Sequence, residues 1–210
     1  MKFCLNAKTS DVDARGQTFM EILDRVGLLC MIVHGGSDCK VRGRTVLQKI
    51  GYFCRYLDWD VGRYRLHYYG PFSFELTSTI QTAESAGLVR QGDDAPHTFE
   101  LTEEGRRVMR QFAENVCDRA KAANTRSLVQ YLSDWTKRDL ELAATLDYVH
   151  VNTAGINEKD LIEKVHIIKT AFSKHDIKSA HKKWAHLRDK INDIKRGNGK
   201  NHTLIMPAKA

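Results

Sequence analysis

A chain of 210 residues with 42% hydrophobic and 28% charged residues can build a real core, as one large domain or as one domain plus a helical extension. No apolar run approaches the ~20 residues that cross a bilayer, so no membrane partner is expected. A net charge of +7 favours acidic partners, nucleic acid first among them, and says nothing of fold.

The five cysteines, Cys4, Cys30, Cys39, Cys54 and Cys117, are odd in number and irregularly spaced. Residues 1–10 are polar and do not read as a signal peptide. Both features point to free thiols in a cytoplasmic protein.

Residues 1–14 read as a loose arm. A helix is expected over residues 17–33, where Phe19, Ile22, Leu23, Val26, Leu29, Cys30 and Val33 recur at three- and four-residue steps. Gly35 and Gly36 end it. A second helix over residues 44–57 has Val46, Leu47, Ile50, Phe53, Cys54 and Leu57 as its apolar stripe. Around it crowd Lys40, Arg42, Arg44, Lys49, Arg55, Arg63 and Arg65, opposed only by Asp58 and Asp60. This basic stretch is either an anion-binding surface or an ordinary solvated flank.

Residues 66–69 are aromatic and strand-like, and Gly70-Pro71 reads as the turn after them. A third helix follows. Leu76, Ile80, Ala83, Ala86 and Gly87 fall on one side, taken as core. Phe74, Thr77, Ser78, Gln81 and Ser85 fall opposite. From Pro71 to Val89 there is no Lys or Arg, while Glu75 and Glu84 are present. Duplex DNA is read and held chiefly by Arg and Lys, so this helix suits DNA poorly. An aromatic on its polar side suits a protein partner, or packs on Tyr68 or Tyr69.

Strand-like runs at residues 88–91 and 97–101 flank the turn formers of residues 92–96, with Asp93 and Asp94 at the tip. Thr102 is placed to cap a helix over residues 103–123, with Val108, Met109, Phe112 and Val116 inward and Arg106, Arg107 and Arg110 as a smaller basic patch. Two helices followed by a hairpin with a polar tip is the order of a winged helix.

Further helices are expected over residues 125–136 and 139–150. The second is apolar nearly all round, which places it at the centre of the C-terminal half. Asn157 caps the next helix. Ser173 caps the last, in which Ile177, Ala180, Trp184, Leu187, Ile191 and Ile194 form a long stripe. That stripe packs on neighbours or on a second copy as a homodimer. From Gly197 the chain is Gly-, Asn- and Lys-rich and reads as disordered. The expected class is mainly α: a winged-helix-like core with a small β-hairpin (residues 15–123), a C-terminal helical extension packed on it (124–196) and a tail (197–210).

Several segments resemble a known family. GRTVLQKIGYF, from Gly43, resembles its G-[KR]-T-x-L-Q-K opening, and YYGPFS, ending at Ser73, resembles its Y-G-P-[YF]-S hallmark. LELAATLDYV and the later Val165, Lys169, Phe172, Ser173, Ile177 and Ala180 are similar to its C-terminal half. The family is the YwgA-like group, related to the Panacea (SocA-like) antitoxin domain. The resemblance spans Gly43 to Leu187 and leaves out residues 1–42 and the tail. It implies a helical protein with a small β element and a non-catalytic role, in some relatives the neutralising of a toxin by binding it.

No phosphate-binding glycine loop is present, and Cys30, His34 and Cys39 match no four-ligand metal spacing. Cys54 sits on an apolar stripe, away from the exposure a nucleophile needs. No metal, cofactor or enzyme activity is therefore expected. The leading expectation is a regulatory protein that binds a protein partner through Phe74, Thr77, Ser78, Gln81 and Ser85. The alternative is nucleic-acid binding through Arg42, Arg44, Lys49, Arg55, Arg63 and Arg65.

Overall fold

A computed structural model describes residues 19–92 and 97–197. In chain order the elements are α1 (Phe19–Gly35), β1 (Lys40–Arg42), α2 (Arg44–Cys54), β2 (Arg65–His67), β3 (Gly70–Phe72), α3 (Phe74–Ser85), β4 (Val89–Gln91) and β5 (Thr98–Leu101). Then come α4 (Glu103–Asn115), α5 (Arg119–Ser133), α6 (Lys137–Val151), α7 (Glu158–Ile168) and α8 (Lys174–Lys195). Among the described residues the protein is mainly helical, with two small antiparallel sheets ordered β1-β5-β4 and β2-β3.

Local chemistry sets the helix starts. Ser73, Thr102, Asp118, Thr136, Asn157 and Ser173 each accept a backbone N–H from the first turn of the helix they precede. Ser173 and Asp176 complete a reciprocal capping box. Asp118 also explains a difference from the sequence pattern. The helix expected over residues 103–123 stops at Asn115, and α5 restarts at the Asp118 cap. The 123/124 boundary expected between core and extension falls inside α5.

Three further expectations are corrected. Residues 40–42 form a strand, β1, with Val41 opposite Phe99. Gly70-Pro71 belongs to β3 rather than to a turn, and the turn is Tyr68-Tyr69. Ala86 and Gly87 are exposed, because α3 ends at Ser85 and the periodicity no longer applies. Residues 93–96, where the acidic hairpin tip is expected, lie outside the described residues, as do residues 1–14 and, past Gly197, the tail.

One continuous core runs through both halves. α6 is at its centre, packed on α2, α7, α8 and β3. The Ile177–Ile194 stripe of α8 is buried within this chain, so it closes the fold.

Asp147 of α6 is fully buried. Its carboxylate accepts from Tyr52 Oη at 2.8 Å, Tyr56 Oη at 2.7 Å, Trp184 Nε1 at 3.0 Å and the Arg55 guanidinium at 2.8 Å. Burial first, then the charge of Asp147, pushes both tyrosine hydroxyls up in pKa, Tyr56 to about 12, so both stay protonated donors. The Arg55 guanidinium lies 4.1 Å from the Tyr52 ring centroid. One carboxylate thus ties α2, α6 and α8 together. Asp147→Ala strands four donors, and breaking such a buried ion pair costs ~3–5 kcal/mol. Urea denaturation is expected to show a loss of that size, with Asp147→Asn falling between Asp147→Ala and wild type.

Candidate partner-binding face: a hairpin held by buried lysines

The β2–β3 hairpin lies over the middle of the molecule, against α2 and α6. A turn placed on a helix core has carbonyls without strand partners, and a buried carbonyl left unpaired costs ~1–3 kcal/mol. Here long side chains supply the donors. Lys49 of α2 is 1% exposed, and its Nζ donates to Pro71 O at 2.6 Å. Lys169, just past α7, donates its Nζ to Tyr68 O and to Glu141 Oε1, the latter at 2.6 Å. Gln48 secures the exit from the hairpin. Its Oε1 accepts from Ser73 N–H at 3.0 Å, and its Nε2 donates to Ser73 O at 2.9 Å and Thr77 Oγ1 at 3.0 Å.

Gly70 is required twice over. Its φ of +84° is a left-handed conformation that side chains resist, and a Cβ there would sit 2.7 Å from Thr145 Oγ1. This close approach seats the hairpin on α6.

With its inner side fixed, the hairpin turns aromatics outward. Tyr68 is 75% exposed and Tyr69 49%; Phe74, at the start of α3, is 68% exposed, and Leu66 lies beside them in sequence on β2. Their rings brace one another edge-on: Tyr68 with Tyr69 at 4.9 Å, and Phe74 with Phe72 at 5.1 Å between centroids. Lys137 Nζ lies 5.3 Å from the Tyr69 centroid.

The residues expected at a partner face are divided. Phe74, Gln81 and Ser85 are exposed, whereas Thr77 and Ser78 are half-buried, and the Thr77 hydroxyl is engaged by Gln48 and Ser73 O. The residues expected at a nucleic-acid face do not share one surface. Arg42 and Arg44 are exposed near β1 and the start of α2, with Arg42 3.5 Å from Asp38. Arg63 and Arg65 are exposed beside Phe74. Lys49 and Arg55 point inward, to Pro71 and Asp147, and leave the surface set. Helical spacing carried that signal, since Lys49 is three residues after Val46 and four before Phe53, on the apolar stripe. Lys169 and Glu141 were missed as functional residues. Glu141 between Leu140 and Leu142, on a helix apolar all round, is the trace they left.

Cys30 and Cys54 are buried, and burial pushes both thiols up to about 12, which makes them inert as nucleophiles. Among the described residues no three His, Cys, Asp or Glu side chains come together as a metal-ligand group.

Burial, and then the charge of Lys169, pushes the Lys49 ammonium down to about 7, against an opposing pull from Glu141. Folded Lys49 therefore sheds its proton near pH 7, while the unfolded chain keeps it to about 10.5. Between those values the unfolded state holds the extra proton, so the Lys49 contribution to stability rises with pH and is flat below the window. Lys49→Met has no such slope. Urea denaturation at pH 7, 8 and 9 is expected to show wild type gaining on Lys49→Met at each step.

The sequence is similar to the "Uncharacterized protein YwgA" of Bacillus subtilis (strain 168), 26% identical over 137 residues that cover 62% of this chain and 76% of that protein. No family model and no solved structure matches. The likeness to YwgA supports a YwgA-like family for this chain.

Proposed function

We propose that this is a non-catalytic regulatory protein of the cytoplasm that binds a protein partner through the β2–β3 hairpin and the start of α3. One observation carries the reading: Tyr68, Tyr69 and Phe74 are held outward on a backbone fastened by Gln48, Lys49 and Lys169. Aromatic anchors dominate protein interfaces, and a preformed anchor loses little freedom on binding. Single exposed apolar residues need no explanation, but several on one braced hairpin do. The resemblance to Panacea (SocA-like) antitoxin domains gives the partner a concrete form, a toxin protein neutralised by contact. In a winged-helix reading, α3 is the helix that would enter a DNA groove, and it carries Glu75 and Glu84 without a cation. Nucleic-acid binding is the second reading. The inward placement of Lys49 and Arg55 shrinks the cationic surface it needs.

The test is titration calorimetry against the product of the adjoining reading frame, beside a bandshift on duplex DNA. Phe74→Ala and Tyr68→Ala are each expected to weaken partner binding about tenfold or more, the effect of losing ~1.4 kcal/mol at a hot spot. Arg42→Glu with Arg44→Glu is expected to leave it unchanged, and moderate salt is expected to be tolerated. Tight, steeply salt-dependent binding to a DNA duplex, abolished by the same arginine pair, would overturn the reading.

A further inference from the structure

Among the described residues, the outer side of β2 is an unpaired strand edge: β2 pairs with β3 alone there, and all three of its residues are exposed. Leu66 stands opposite Pro71, which has no N–H to give. That pair is therefore the non-hydrogen-bonded kind, and the N–H and C=O of Leu66 face away from β3. Apart from its pairing with β3, β2 makes no backbone hydrogen bond among the described residues.

Charge says what fits there. Arg63 and Arg65, two residues apart, flank a notch with Phe74 and Glu75. Neither arginine has an ion-pair partner among the described residues. The one acid in the notch, Glu75, accepts the Ser73 hydroxyl at 3.1 Å. Edge strands are commonly guarded by a charge that repels a like strand. Two β2 edges from two copies would set these guanidiniums against each other, which disfavours self-pairing. A strand bearing carboxylates would meet the arginines and would find the unpaired groups of Leu66 and the exposed ring of Phe74.

We propose that the outer edge of β2 receives an extended acidic segment of a partner protein as a third strand, an inference that rests on the partner-binding reading above. Main-chain hydrogen bonds to Leu66 give the segment its direction. Arg63 and Arg65 select its carboxylates, and Phe74 takes its apolar side chains.

A random peptide library displayed on phage and panned on the full chain tests this. The expected consensus interleaves Asp or Glu with apolar residues. A synthetic consensus peptide is expected to lose about tenfold or more in affinity against Arg63→Glu/Arg65→Glu, and to recover when its acids are changed to Lys. N-methylation of alternate peptide amides is expected to abolish binding. Both arginines are exposed, so an unchanged circular dichroism melt confirms that the double variant is folded. A basic or uncharged consensus, no enrichment, or binding indifferent to charge reversal or N-methylation overturns the acidic strand. If binding then still fails on Phe74→Ala, the partner-binding reading stands alone; if Phe74→Ala and Tyr68→Ala change nothing, both fall.

Discussion

A helix buried on every side cannot carry a carboxylate unless the surrounding chain brings donors to it. The buried stretch of α6 carries two, Glu141 and Asp147, both nearly sealed from water. Each buried charge without partners costs several kcal/mol, so the fold is obliged to converge on them. Asp147 gathers Tyr52, Arg55 and Tyr56 from α2 and the residues just after it, and Trp184 from α8. Glu141 gathers Lys169, and through Lys169 the carbonyl of Tyr68. Thr145, between the two acids, leaves room only for a glycine above it. The position of the hairpin is thus a consequence of how α6 satisfies its own charges.

The same chemistry links stability to presentation. Lys49 and Lys169 lie close enough for the charge of one to act on the other, and Glu141, bonded to Lys169, also acts on Lys49. Below about pH 7, where Lys49 keeps its proton, the surplus positive charge is offset by carbonyl dipoles. These belong to Tyr68 and Pro71, on either side of the Tyr69-Gly70 step. The turn is held by the lysines, and the lysines are made tolerable by the turn. Such mutual dependence favours a stiff hairpin, and stiffness keeps Tyr68 and Phe74 exposed when hydrophobic collapse would otherwise draw them in.

Most of the helical frame was legible in the sequence, because caps and apolar periods act over a few residues. Asn157 and Ser173 announced α7 and α8, and the all-round apolar run announced a central α6. What escaped depends on contacts between distant segments. β1 is only three residues long and exists because Val41 finds Phe99 far along the chain. Gly70-Pro71 looks like a turn locally, yet it pairs with His67 and Leu66 because Gly70 alone fits against Thr145. Lys49 and Arg55 counted as surface charge, since composition treats every lysine and arginine as solvated. Lys49 is buried and Arg55 half-buried because they reach Pro71 and Asp147, which lie 22 and 92 residues away.

The segments that resemble the YwgA-like group also meet in space. Gln48 and Lys49 come from the first of them, Tyr68 to Ser73 from the second, Glu141 and Asp147 from the third, and Lys169 from the fourth. Each contributes to the inward side of the hairpin or to the hub beneath it. Of the outward side chains, Arg63, Arg65, Leu66 and Phe74 lie outside the quoted motifs, whereas Tyr68 and Tyr69 lie within the second. The resemblance therefore covers how the hairpin is held and the two tyrosines at its turn, but not the arginines, Leu66 or Phe74 beside them. A scaffold that fixes backbone geometry from below leaves its upper surface free to change without unfolding, because substitutions there break no buried hydrogen bond. For the partner-binding role proposed above, that separation would leave selectivity to the exposed guanidiniums and rings rather than to the buried core.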